Sequence, residues 1–157
     1  MFYFKRFLTL ILLFYTEVSL AQKENFIKDQ VTSHLNNSRM EQGFGKFNND
    51  NNLIKAIDFY LENLVTNDQQ ADLKALSKQY GINVFTLNVY PVRFLNEEIW
   101  KEQLQYIIDA EKTNNSTMTS ANDFFRHIAV RKNKFNEYLV TVSYGTYLEI
   151  GCWSGLK

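Results

Sequence analysis

Phe125-Arg126-His127-Ile128-Ala129-Val130-Arg131 and Tyr138-Leu139-Val140-Thr141-Val142-Ser143-Tyr144-Gly145-Thr146-Tyr147 flank the turn-like run Lys132-Asn133-Lys134-Phe135-Asn136. Two β-rich runs around a short polar break predict an antiparallel hairpin. Val140, Val142 and Tyr144 alternate with Thr141 and Ser143. One face of the second strand is therefore expected to be buried and the other wetter.

Upstream of the hairpin, Thr113 to Asn122 reads as a polar loop. Before it, Asn96 can cap a helix from Glu97 to about Glu111, with Ile99, Trp100, Leu104, Ile107 and Ile108 as its apolar stripe. Ile82 to Phe94 is rich in strand formers, and Pro91 argues for an edge or a strand end there. Gly81 suits the C-cap of a short helix over Ala71 to Tyr80, with Leu73 and Leu76 inward. The run Asn48-Asn49-Asp50-Asn51-Asn52 favours a helix start near Leu53, because short polar side chains accept bonds from free backbone N–H groups. Leu53, Ala56, Ile57, Tyr60, Leu61 and Leu64 then share one face. A first helix is expected over Gln22 to Arg39, with Phe26, Ile27, Val31 and Leu35 near helical spacing. Gly43-Phe44-Gly45 ends it, and Phe47 is an apolar plug in the loop that follows. The order is helices, a strand, a helix and a hairpin, with no repeat, linker or second domain, which predicts a layered α+β fold.

Residues 1–21 read as a cleaved signal peptide. Lys5 and Arg6 form a positive n-region, Phe7 to Tyr15 an apolar run, and Ser19-Leu20-Ala21 a cleavage site before Gln22. The apolar run is about nine residues, whereas a spanning helix needs roughly 20. A secreted or periplasmic location and no stable membrane insertion after cleavage are therefore expected. Of 157 residues, 136 remain, enough for one domain. Loss of Lys5, Arg6 and Glu17 leaves 15 basic and 16 acidic residues, which argues against a nucleic-acid partner. Cys152 is the only cysteine, so no internal disulfide can form; it reads as a small apolar residue, or as an intermolecular disulfide partner or reactive thiol.

One constellation has a family likeness. Asn36 and Arg39 stand as N-x-x-R at a helix end; Gly43 follows by four, Phe47 by four more, then Asp50, Leu53, Ile57 and Tyr60. Asp123-Phe124, Ile128-Ala129-Val130 and the tyrosine-rich run to Gly145 close the chain. The pattern, over about Gln22 to Gly145, resembles the CAP superfamily (cysteine-rich secretory proteins, antigen 5 and pathogenesis-related 1 proteins). That resemblance implies a single-domain three-layer α-β-α sandwich with a mostly antiparallel sheet over 22–157, including a short C-terminal tail. It also implies secretion and varied binding roles. Many members carry a cavity of two His and two Glu, in some cases with zinc. At the corresponding positions this chain has Tyr60, Leu87 (before Asn88) and, near the second His position, Asn115. A phenol, an alkyl chain and an amide do not make a zinc site.

His34 and His127 are the only histidines, and neither lies in an H-x-x-x-H or H-E-x-x-H pairing. His34 is expected at the edge of the first helix's buried face. No G-x-S-x-G occurs, and Glu97-Glu98 sit at a helix start, where the macrodipole accounts for them. Asn36-Asn37-Ser38 and Asn114-Asn115-Ser116 match glycosylation acceptors. The aromatic residues read as core, or as a ligand groove. The expectation is an exported, non-enzymatic domain that binds a ligand, peptide or envelope protein. It has no catalytic residue, metal site or cofactor, and Tyr60, Asn88 and His127 are its candidate cavity-lining groups. The alternatives are an envelope hydrolase with an unadvertised site and an interaction protein of unrelated small α+β fold.

Overall fold

In the computed structural model, residues 2–70, 72–93, 96–114 and 124–147 are described. The first helix, α1, runs Phe2–Glu41, continuous through the expected cleavage point rather than starting at Gln22. Ile27, Val31 and Leu35 are buried at four-residue spacing, and Ser38 and Arg39 extend the buried stripe. Phe26, one position off that stripe, is instead 45% exposed. Gly43 ends α1 with φ of +83°, a backbone region that favours glycine.

Helix α2, Asn51–Asn67, starts at Asp50, whose carboxylate accepts from the N–H groups of Asn52 (2.8 Å) and Leu53 (3.0 Å). Its buried residues are Leu53, Ala56, Ile57, Tyr60 and Leu61, the face its periodicity predicts. Helix α3, Leu73–Tyr80, is capped by Asp72, and Gly81 closes it by donating to the Ser77 carbonyl. Strand β1 covers Ile82–Val92, and α4 covers Glu97–Asn114, with Asn96 Oδ1 accepting from Ile99 N at 2.9 Å. Helix α4 thus takes in Thr113 and Asn114, the start of the expected loop. The hairpin is β2, Phe125–Lys132, and β3, Tyr138–Tyr147. Its turn is held by Asn133 Oδ1, which accepts from Phe135 N and Glu137 N at 2.9 and 3.0 Å. Asn115, Asp123 and Cys152 lie outside the described residues.

Among the described residues the sheet order is β1-β3-β2, with antiparallel pairing and a parallel bridge from Asn48 to Phe125 beyond β2. Helices cover both faces. On one side α1 and α4 pack on Ile128, Val130, Tyr138, Val140, Val142 and Tyr144. On the other, α2 packs on Ile82, Val84, Phe125 and Ala129, with Leu73 of α3 beside them. The chain is therefore a three-layer α-β-α sandwich of the α+β class. The expectation of a wetter face on β3 is corrected: Thr141 and Ser143 are fully buried. Their hydroxyls donate across the hairpin to the carbonyls of Ala129 (3.1 Å) and His127 (3.0 Å). Those bonds satisfy them under α2, since buried polar groups need partners.

A register shift between Val84 and Thr86 changes the alternation of β1. Ile82 and Val84 before it, and Leu87 after it, face α2 and α3, whereas Tyr90 and Val92 face α1 and α4. Gly145 pairs with Val84 beside this irregularity. A Cβ there would stand 3.0 Å from the Asn83 carbonyl oxygen and 3.3 Å from Leu53 Cδ1. Gly145→Ala is expected to lower stability by about 1–3 kcal/mol, read as a fall in the urea midpoint at unchanged slope.

Candidate functional site

Two places gather functional side chains, one on each face of the sheet. On the α1/α4 side the centre is Glu111, fully buried in the last turns of α4. Its Oε1 accepts from Tyr90 Oη (2.5 Å) and Asn88 Nδ2 (2.8 Å), and its Oε2 from Tyr144 Oη (2.9 Å). Burial, with Glu111 adding to it, pushes the phenols of Tyr90 and Tyr144 far up, so both stay protonated donors. Arg126, also buried, donates from Nη2 to Asn36 Oδ1 at 2.9 Å. Desolvation lowers its guanidinium to about 10, a shift the nearby Tyr144 and Glu111 oppose, so it stays charged at neutral pH. Two guanidinium carbons lie over the Phe47 ring, Arg39 at 4.3 Å and Arg126 at 4.8 Å from its centroid, and the ring meets Tyr144 edge-on at 5.4 Å. Arg39 Nε also donates to the Gly45 carbonyl at 2.7 Å. The residues of the N-x-x-R motif and the loop plug thus meet in one partly buried cluster. Asn36, the first glycosylation acceptor, is committed to Arg126 inside it.

On the α2/α3 side a groove opens. A pocket of about 360 Å³ is lined by Tyr60, Gln70, Leu73, Leu87 and Val89. A second, of about 300 Å³, shares Val89 and continues past Pro91 to Leu139, with Leu64 and Val65 as its α2 wall. Burial raises the Tyr60 phenol, so the lining of the first pocket is uncharged, whereas Asp68, Lys134 and Glu137 line the second. Lys134 Nζ meets Asp68 Oδ2 at 2.9 Å at the groove's far end, and Arg93 meets Glu137 at 2.9 Å nearby.

The three candidate residues do not share one cavity. Tyr60 lines the groove, while Asn88 lies on the opposite face, bonded to Glu111. The irregularity at Val84 to Thr86 sets that facing, and one sequence offers no signal for it. His127 is buried under α2 with Nε2 3.4 Å from Asp58 Oδ1 and lines neither pocket. Ser143 donates to the His127 main-chain oxygen rather than to the ring. His34 is exposed rather than at a buried edge, its Nδ1 bonded to the Gln30 carbonyl. Glu111, Arg126 and Arg39 were missed as a set. The signal for Glu111 is its place on the buried stripe of α4, three residues after Ile108 and four after Ile107. Among the described residues no three His, Cys, Asp or Glu come together to hold a metal, and no helix is long and apolar enough to cross a membrane.

The Asp58 contact makes a testable acid dependence. The hydrogen bond from His127 holds the Asp58 carboxyl below its ordinary value against partial desolvation, with Arg131 and Lys28 helping. A depressed carboxyl stabilises the fold above its unfolded pKa and loses that contribution as pH falls through the folded value. Asp58 is 42% exposed, so solvent screening limits the effect to less than about 1 kcal/mol. Asp58→Asn is expected to flatten the stability profile between about pH 5 and 3, measured by urea denaturation.

No protein-family model matches the chain, and no curated protein or solved structure matches it either.

Proposed function

We propose that this chain is an exported, non-enzymatic CAP-like domain that binds a ligand, peptide or partner protein in the groove between α2 and β1, at or outside the cell envelope. One observation carries the reading. Tyr60 and Leu87, where the resemblance puts a cavity His and Glu, line the same 360 Å³ pocket although 27 positions apart in sequence. The apolar lining with a few polar groups suits binding. The substituted side chains remove the acid–base and ligating groups that a hydrolytic or metal-dependent role would use. Asn36, Arg39 and Phe47 clustering on the other face adds support.

The test uses protein starting at Gln22 and N-phenyl-1-naphthylamine, an uncharged fluorophore that brightens in apolar surroundings. Saturable binding is expected, with Val89→Trp filling the junction of the pockets and weakening it at least about tenfold. Binding that is absent, or unchanged in Val89→Trp, would sink the reading. Export is tested separately: protein recovered outside the cytoplasm is expected to begin Gln22-Lys23-Glu24.

A further inference from the structure

The last turn of α2, Leu64-Val65-Thr66-Asn67, carries no base, and the negative end of the helix dipole attracts a cation there. Asp68, the next residue, adds a carboxylate at the same end. Its φ of +57° is left-handed, a conformation that Asp and Asn adopt more readily than most side chains. The cation comes from the hairpin turn, where Lys134 Nζ meets Asp68 Oδ2 at 2.9 Å. The same Nζ lies 5.2 Å from the centroid of the Phe135 ring. The Lys134 ammonium therefore marks a place where a carboxylate, an aromatic face and a helix C-terminus all favour positive charge.

Asp68, Lys134 and Phe135 also line the 300 Å³ pocket, beside the apolar Leu64, Val65 and Leu139. Val89 joins this pocket to the 360 Å³ one at Tyr60 and Leu87, so an unbranched apolar chain can run from one into the other. Together the two are of the size that takes a small molecule. The Lys134–Asp68 pair is loose: the side chains are 60% and 71% exposed, and a pair so open to water is weak. Glu137, the other carboxylate of this pocket, is held by Arg93 at 2.9 Å and by Asn133 Nδ2 at 3.3 Å. Asp68 is thus the acid that can change partners, and the Lys134 it releases is already mostly in water. An anionic head can reach Lys134 only beside Asp68, Glu137 and the negative end of α2, which repel it.

We infer that the groove takes a single-chain amphiphile with an ammonium head. The head replaces Lys134 Nζ between Asp68 and Phe135, and the apolar chain runs past Val89 toward Tyr60 and Leu87. This rests on the binding role proposed above and names its ligand class. The chain supplies affinity by leaving water for an apolar lining, and Asp68 supplies the choice of head. Lys134 acts as an internal competitor that fills the head position when no ligand is bound.

The test displaces N-phenyl-1-naphthylamine from the protein with dodecylamine, dodecanol and dodecanoate, which share one chain length and differ in head charge. Each is used below its micelle-forming concentration. Dodecylamine is expected to bind at least about fivefold more tightly than dodecanol, and dodecanoate more weakly than either. Asp68→Asn, which suits the left-handed backbone, is expected to erase the preference for the amine over the alcohol. Lys134→Ala is expected to tighten amine binding about two- to fivefold by removing the competing ammonium. An amine preference that survives Asp68→Asn, or an amine affinity that Lys134→Ala fails to raise, overturns the inference. So does dodecanoate that binds as tightly as the amine. Naphthylamine that saturates but resists all three competitors overturns it too, and leaves the groove reading standing. If naphthylamine itself fails to bind, both readings fall.

Discussion

Glu111→Ala is expected to destabilise the domain by about 3–5 kcal/mol, the cost of breaking a buried charged network by removing one partner. The carboxylate is fully buried and accepts from Tyr90, Asn88 and Tyr144. Its removal leaves the buried Tyr144 hydroxyl and the partly buried Tyr90 and Asn88 donors without their acceptor, and Arg126 loses a nearby counter-charge. A domain of this size has about 5–15 kcal/mol in total, so the variant keeps a fraction of it. Glu111→Gln separates charge from shape. The amide keeps one acceptor, but its NH₂ faces a donor that had a carboxylate oxygen, so a cost of about 1–3 kcal/mol is expected. Urea denaturation followed by far-UV circular dichroism measures both. Equal and small losses would show that the three donors find other partners.

Phe47→Ala is expected to cost about 3 kcal/mol, near the lower end for a phenylalanine truncation because the ring is only partly buried. Beyond lost apolar contact, the change removes the ring that both Arg39 and Arg126 stack on, while their mutual repulsion stays. Phe47→Leu retains most of the apolar volume and removes only the aromatic face, for an expected cost of about 1–2 kcal/mol. A double-mutant cycle between Phe47→Leu and Arg126→Met is expected to give a coupling of about 0.5 kcal/mol or more. Additive losses would mean the ring acts as filler alone.

The elements themselves were largely legible. Asp50 and Asn96 each mark a helix start by offering an oxygen to free N–H groups, and Gly81 marks a helix end. The buried face of α2 follows its 3.6-residue period through Leu61, while Leu64 is only partly buried. The site was less legible. Tyr60 was named as a cavity-lining candidate, and it lines the groove with Leu87. Asn88 was placed in that cavity and lies on the other face, because one extra residue in β1 inverts a two-residue alternation. Thr141 and Ser143 read as wet because hydroxyls are polar, yet two neighbouring carbonyls let them sit under a helix.

Local pattern therefore determined what each segment becomes, since caps, periodicity and turn chemistry act over a few neighbours. It also defined the N-x-x-R motif and the plug at Phe47. Only the tertiary structure decided which distant polar groups meet: Asn36 with Arg126 across 90 positions, and Tyr144 with Glu111 across 33. Such pairings depend on how layers stack and where a strand slips register, and those are properties of the assembled sheet rather than of any one segment.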